Sequence, residues 1–372
     1  MGAEISAGSD FPGGDGSTDS DLVVVGAGIA GLSLARELRA LGRHPLVIER
    51  ARGVGGRCAT RRVEGQPVDH GPAFLHGRSD RFLAELAAAR QSGEVANWPR
   101  VREGAGVACQ PEAFDGLDMR IAPAAGVNRF AKHLAQGLEL RLDVRVEAIG
   151  LMGQPGAQAE RTWELALSSG ERLHAQTLAL AMPAPAVHEL LRAMEPSDAA
   201  VTALLPLLEL VHMLPCMTVI ARYPEGVPAP AWDASYPGGS KSIQAILQDS
   251  SKRAGEPRLT LVIQARAKYS RDHLSESEES WTRALLEEAA ALHGEWIKAP
   301  DLVQSHIWRN ARVASGSGLA SPLLAQLAGN VSLGIAGDGF HAAGGIEGAY
   351  LSGIALAARF PSRRIPAILD SR

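Results

Sequence analysis

The segment Gly26-Ala27-Gly28-Ile29-Ala30-Gly31 constrains this chain more than any other. It follows a β-branched run, Leu22-Val23-Val24-Val25, and opens a stretch in which Leu32, Ala35, Leu38 and Leu41 recur at helical spacing until Gly42. A second apolar run, Pro45-Leu46-Val47-Ile48, ends in Glu49. These periods predict a buried strand, a helix over Ile29 to Leu41, and a second, parallel strand. In that setting G-x-G-x-x-G with an acid closing the second strand is a dinucleotide-binding fingerprint. Gly26 permits the tight turn, Gly28 lets backbone approach a pyrophosphate, and Gly31 lets helix and strand pack closely. The helix start offers N–H groups and partial positive charge to the phosphates, and Glu49 is placed to accept from the ribose hydroxyls.

The 372 residues suggest about two domains of ordinary size. A hydrophobic content of 46% supplies the cores, and a net charge of −4 leaves no basic footprint for nucleic acid. Cys58, Cys109 and Cys216 are far apart, without metal-ligand spacing, so neither a disulfide framework nor a metal site is expected. Cysteine usage of this kind fits a reducing, cytoplasmic setting. Residues 1–20, rich in Gly, Ser and Asp, read as a disordered tail without the apolar run of a signal peptide. The longest apolar stretch, Val201 to Ala221, is broken by Pro206, Glu209, His212 and Pro215. It reads as a buried helix followed by a buried strand, not as a membrane span.

Further along, helices are predicted at about 81–89, 127–136 and 186–194, with strands in 138–149, 163–167 and 177–181. From 195 to 325 the texture changes. Apolar strands at 217–222, 242–247 and 259–265, separated by Pro/Gly turns, precede a long helix at about 276–293. That pattern predicts an antiparallel sheet with a covering helix. The end returns to the first texture, with a buried strand at 331–336 and an Ala/Gly-rich helix at 345–360.

A second glycine cluster, Arg52-Gly53-Val54-Gly55-Gly56-Arg57, follows Glu49 closely. It suggests more backbone packed on an extended cofactor, with Arg57 as a phosphate partner. The run from Glu49 and Arg50 through Gly56 and Arg57 resembles the signature of the flavin-containing amine oxidase superfamily. Val68-Asp69-His70-Gly71-Pro72-Ala73-Phe74, Tyr269 to Leu274, and His306-Ile307-Trp308-Arg309 resemble its renalase-like members. Gly337-Asp338 with Gly344-Gly345-Ile346-Glu347-Gly348-Ala349 resembles their C-terminal flavin motif. The resemblance spans Asp21 to Arg359.

It implies an α/β fold: a Rossmann-type, GR2-like FAD-binding domain with an inserted mixed α+β substrate domain. The FAD-binding domain would be discontinuous, 21–80 plus 127–194 plus 326–372, and the substrate domain 81–126 plus 195–325. It further implies tightly bound FAD, held at Gly26 to Gly31, Glu49, Arg50, Gly56, Arg57 and Phe74. Adenine would be read by the backbone of Val144, and the ribityl-phosphate region by Asp338. The helix start at Gly345 and Ile346 would face the flavin's pyrimidine edge, where negative charge builds on reduction.

The implied activity is hydride transfer from a small-molecule substrate to FAD and onward to O2, the substrate being an isomeric dihydronicotinamide dinucleotide. An amine oxidase or desaturase of a small metabolite is the alternative, and a flavin-binding isomerase or non-redox binder a third. Tyr269 stands where renalase-like proteins usually have tryptophan. His76 replaces a small hydroxyl residue, and Phe340-His341 replaces a Trp-containing form. His76, His341 and Trp308 are therefore the substrate-facing candidates, His for proton exchange near neutral pH and Trp for stacking on a planar ring. Lys268 is the one lysine considered for the place near the flavin's reactive nitrogen that many amine oxidases fill.

Overall fold

The computed structural model describes residues 17–90, 94–104, 119–153 and 161–361. Residues 1–16 of the expected tail and Cys109 lie outside them, whereas Ser17–Asp19 form a strand pairing in parallel with Arg172–Ala175. At the centre is a six-stranded sheet, in spatial order Glu139–Arg141, Leu46–Ile48, Leu22–Val25, Thr177–Leu180, Ser332–Ile335 and Leu323–Gln326. Its first five strands are parallel and Leu323–Gln326 closes one edge antiparallel. Strands from distant parts of the chain thus share one sheet, and Leu22-Val23-Val24-Val25 is buried throughout because both faces are covered. Val23 and Val25 enter a core with Trp163, Leu165 and Ile149 of a four-stranded sheet. Leu22 and Val24 enter another, with the helices Ile29–Ala40, Asn128–Leu134 and Gly345–Ala357.

A second six-stranded sheet runs Leu302–Val313, Met213–Arg222, Thr260–Ala265, Ile243–Gln248, Ala234–Ser235 and Arg102–Glu103. It is antiparallel except at its last pair. The helix Glu278–His293 covers one face through Trp281, Leu285 and Ala289. The other face, through Ile220, Val262 and Leu247, packs on Val63 and Val68 of the hairpin Thr60–Val63/Gln66–Asp69. The helix Asp80–Ala88, grouped by sequence with the substrate region, packs instead among the helices on the first sheet, where Phe82 stacks edge-on against Phe130. Among the described residues no helix is long and apolar enough to cross a membrane.

Candidate active site

The first strand turns into the first helix at Gly26, whose φ of +107° suits only glycine, and a Cβ there would meet the Ala181 carbonyl oxygen at 2.6 Å. A Cβ on Gly31 would come within 1.9 Å of the Gly26 carbonyl oxygen, so helix and turn pack backbone to backbone. Gly28 is different. Its backbone is extended, and a Cβ there would meet nothing within 4 Å. The side chains of Ala27, Ile29 and Ala30 are buried core. No side chain caps this helix and its first turn holds no acid. Open space beside an uncapped helix start suits an extended pyrophosphate.

The second glycine cluster is laced to the first. Gly55 N–H donates to the Ala27 carbonyl at 2.8 Å, and Gly55 bridges Gly28 in parallel. Gly56 lies exposed beside Gly28. Glu49 ties the arrangement together: one carboxylate oxygen accepts from Ala27 N–H at 2.8 Å and the other from Ala51 N–H at 2.8 Å. Arg50 is exposed just beyond it. The last helix, Gly345–Ala357, lies against the first, with Ser33 Oγ donating to the Tyr350 carbonyl at 3.0 Å. It too starts without a side-chain cap. Glu347 in its first turn is turned aside, accepting from the N–H groups of Arg78 and Ser79. The exposed Gly345 and half-buried Ile346 therefore present an open helix start.

Three of the expected cofactor positions make contacts within the protein. The Arg57 guanidinium makes a two-pronged pair with Asp338, at 2.7 and 2.8 Å. Planar fork and carboxylate match in shape, so these two residues satisfy each other. The N–H of Val144 donates to the Glu49 carbonyl at 3.0 Å, which leaves its carbonyl as the backbone group for an adenine edge. The ring of Phe74 is buried core, edge-on to Trp98 with centroids 6.2 Å apart. Cys58 is buried beside Arg57, and burial pushes its thiol up to about 12, so it stays protonated and unreactive.

Trp308 sits beside the Arg57 turn. Its Nε1–H donates to the His70 carbonyl at 2.9 Å, and a Cβ on Gly71 would lie 2.3 Å from the Arg57 carbonyl and 3.6 Å from the Trp308 ring. His70 and His306 gather round it, with ring centroids 5.0 and 4.2 Å away. Neither histidine was singled out from the sequence. The signal was the alternation of His306 and Trp308, which puts both on one face of a strand. His76 and His341 instead flank the start of the last helix. His76 bears electrostatically on Glu347, and His341 Nδ1 accepts from Ala343 N–H at 3.2 Å. Lys268 is 85% exposed and pairs with Asp272 on a short helix.

Burial, then the charge of Arg61 and the His306 ring, pull the His70 imidazole down to about 3. Burial and Arg61 lower His306 as well. The wall is thus aromatic and uncharged at neutral pH. His70 Nδ1 is buried without a hydrogen-bond partner. Because the folded value of His70 lies below the ordinary 6.5, its contribution to stability is complete above that pH and drains away as pH falls toward 3. Urea midpoints measured from pH 7 to pH 4.5 should fall less steeply for His70→Phe than for the parent protein. Equal slopes would contradict the assignment.

A triad-like group joins the second sheet to its covering helix. Ser235 Oγ lies 2.9 Å from His293 Nε2, and His293 Nδ1 lies 3.6 Å from Glu103. Ser235 is only 2% exposed on a strand paired on both sides, so the group joins strands and admits no substrate. No cluster of metal-ligating side chains occurs among the described residues.

A parallel sheet with a glycine turn into an uncapped helix, a second uncapped helix start packed beside it and an aromatic wall from a second sheet fit a dinucleotide-dependent flavoprotein. Residues 24–88 match the NAD(P)-binding Rossmann-like domain and residues 92–360 the flavin containing amine oxidoreductase model. The chain belongs to the flavin-containing amine oxidoreductase family, and so to the FAD-dependent oxidoreductases. A putative flavin-containing monoamine oxidase, AofH, of Mycobacterium tuberculosis is 46% identical over 87 residues, 23% of this chain and 18% of the relative. Putrescine oxidase of Kocuria rosea is 35% identical over 100 residues, 27% and 20% of the two chains. The matched segments span about a fifth of these curated relatives. Among solved structures, putrescine oxidase bound to putrescine superposes with a TM-score of 0.66 at 16% identity, covering 92% of this chain and 99% of the other. Cyclohexylamine oxidase from Brevibacterium oxydans IH-35A gives 0.67 at 16%, covering 92% and 98%. Both likenesses are of fold. The residues present fit FAD, since the open space at Gly28 and the two uncapped helix starts are what its phosphates and flavin edge require.

Proposed function

We propose that this chain oxidises a small planar hydride donor, of the dihydronicotinamide type that renalase-like proteins take, with O2 as the final acceptor. FAD, held by residues 21–80, 127–194 and 326–372, supplies the two-electron acceptor; O2 takes the electrons onward as hydrogen peroxide. The second sheet and its covering helix form the substrate side. The observation that carries this reading is the neutral wall of Trp308, His70 and His306, a surface for stacking a flat ring. Arg61, whose Nη2 lies 3.5 Å from His306 Nδ1, adds positive charge at its rim, which favours an anionic substrate and disfavours a diammonium one. The lysines agree: four of the five are exposed, and Lys252 is buried between Asp69 and Asp249. In this reading Trp308 stacks on the donor, while His76 and His341 border it at the start of the last helix.

Oxidation of a small amine is the second reading, favoured by the names of the relatives. Anaerobic mixing of the FAD-loaded protein with dihydronicotinamide isomers, then with putrescine and cyclohexylamine, separates the two. Bleaching of the flavin band by a dihydronicotinamide isomer, reversed by air, is the expected result. Bleaching by an amine alone would replace the first reading with the second.

A further inference from the structure

A buried knot of charge stands next to the wall. Lys252 Nζ donates to Asp69 Oδ2 at 2.9 Å and to Asp249 Oδ1 at 2.7 Å, and these three side chains are 0–1% exposed. Arg253 Nη1 donates to Asp249 Oδ2 at 2.7 Å, so two cations balance two carboxylates. The Trp98 ring lies 4.7 Å from Lys252 Nζ, and Trp98 Nε1 donates to Ser251 Oγ at 2.8 Å. Desolvation takes back most of what such a knot gains, so it is a weak source of stability. It does fix geometry, and two arms lead from it.

The first arm runs to the glycine turn. Asp69 Oδ1 accepts from Thr60 Oγ1 at 2.6 Å and from Val127 N–H at 3.0 Å. Arg253 Nε donates to the Ala124 carbonyl in the same loop at 2.9 Å. That loop leads into the helix Asn128–Leu134, whose Ala131 packs on Gly55. The second arm is two residues long. Asp69 is followed by His70, whose carbonyl holds Trp308, and by Gly71, whose carbonyl accepts from Gln264 Nε2 at 2.6 Å.

We propose that Lys252 is a positioning residue: by holding Asp69 against Asp249 it sets both the glycine turn that cradles FAD and the Trp308 wall. Lys252 touches neither cofactor nor substrate. The inference rests on the cradle reading above; a parent protein that takes up no FAD fails that reading, not this one.

The test uses FAD-loaded full-length protein carrying Lys252→Met or Lys252→Arg. Arg222→Met is the control, since it breaks another buried pair, Arg222 at the end of the strand Met213–Arg222 with Glu256 at 3.0 Å, both 5% exposed. Three quantities are read: the visible circular dichroism of bound FAD, the rate of FAD release by fluorescence, and the urea midpoint. Lys252→Met should alter the flavin dichroism and release FAD about tenfold faster, with Lys252→Arg between it and the parent. Arg222→Met should lower the urea midpoint and leave both flavin signals as they are. If Lys252→Met gives no folded protein, the same signals are read on Lys252→Arg. A folded Lys252 variant with parental flavin dichroism and release would overturn the proposal. So would an Arg222→Met protein that reproduces the flavin changes.

Discussion

A Gly28→Val protein folds as the parent does and purifies without flavin. The backbone at Gly28 has φ −75° and ψ 177°, an extended conformation that valine adopts readily. A Cβ at this position meets nothing within 4 Å, so the protein itself makes no objection. The added atoms fill the space into which a pyrophosphate must come. Overpacking of that kind costs about 3 kcal/mol, or about 100-fold in FAD affinity. Gly31 shows why the choice of glycine matters. A Cβ there strikes the Gly26 carbonyl at 1.9 Å, and its loss of flavin would say nothing beyond misfolding. Far-UV circular dichroism checks the fold of Gly28→Val and absorbance checks its FAD content. A folded, yellow Gly28→Val protein would refute the placement of the pyrophosphate.

Glu49→Ala should lose flavin by a different route and lose stability with it. The carboxylate accepts from Ala27 N–H and Ala51 N–H, one on each oxygen, and it is nearly buried. Removing it strands two backbone donors, at about 1–3 kcal/mol each. It also loosens the turn that carries Ala27 and, on the proposed cradle, would remove an acceptor for the ribose hydroxyls. Glu49→Gln keeps one acceptor oxygen and should fall between Glu49→Ala and the parent in both urea midpoint and FAD retention. Glu49→Ala protein that keeps its FAD through gel filtration would remove Glu49 from the cradle.

The nucleotide half of this architecture was legible because its signals are local. Leu22 to Val25, the glycine turn and the helix to Ala40 lie within one short stretch, and the burial that makes the strand uniformly apolar is the burial the sheet provides. The strand Leu302–Val313 was harder to read. It lies at a sheet edge with most residues half-buried, and its inward face carries Gln304, His306 and Trp308 in place of a clean apolar alternation. Pairings across long separations left no trace in the sequence. Arg57 meets Asp338 across 281 positions and Lys252 meets Asp69 across 183. Read locally, Arg57 is a cation in a glycine turn and points to a phosphate; only the fold supplies the carboxylate that claims it. Lys268 drew interest for its residue type, and the short helix that turns it to solvent was not visible in the pattern.

The most direct measurement is the absorbance spectrum of the purified protein after incubation with excess FAD and gel filtration. A cradle built from the Gly28 and Gly56 turns and the start of the last helix predicts flavin bands at about one FAD per chain. A colourless protein, folded by circular dichroism, would contradict it.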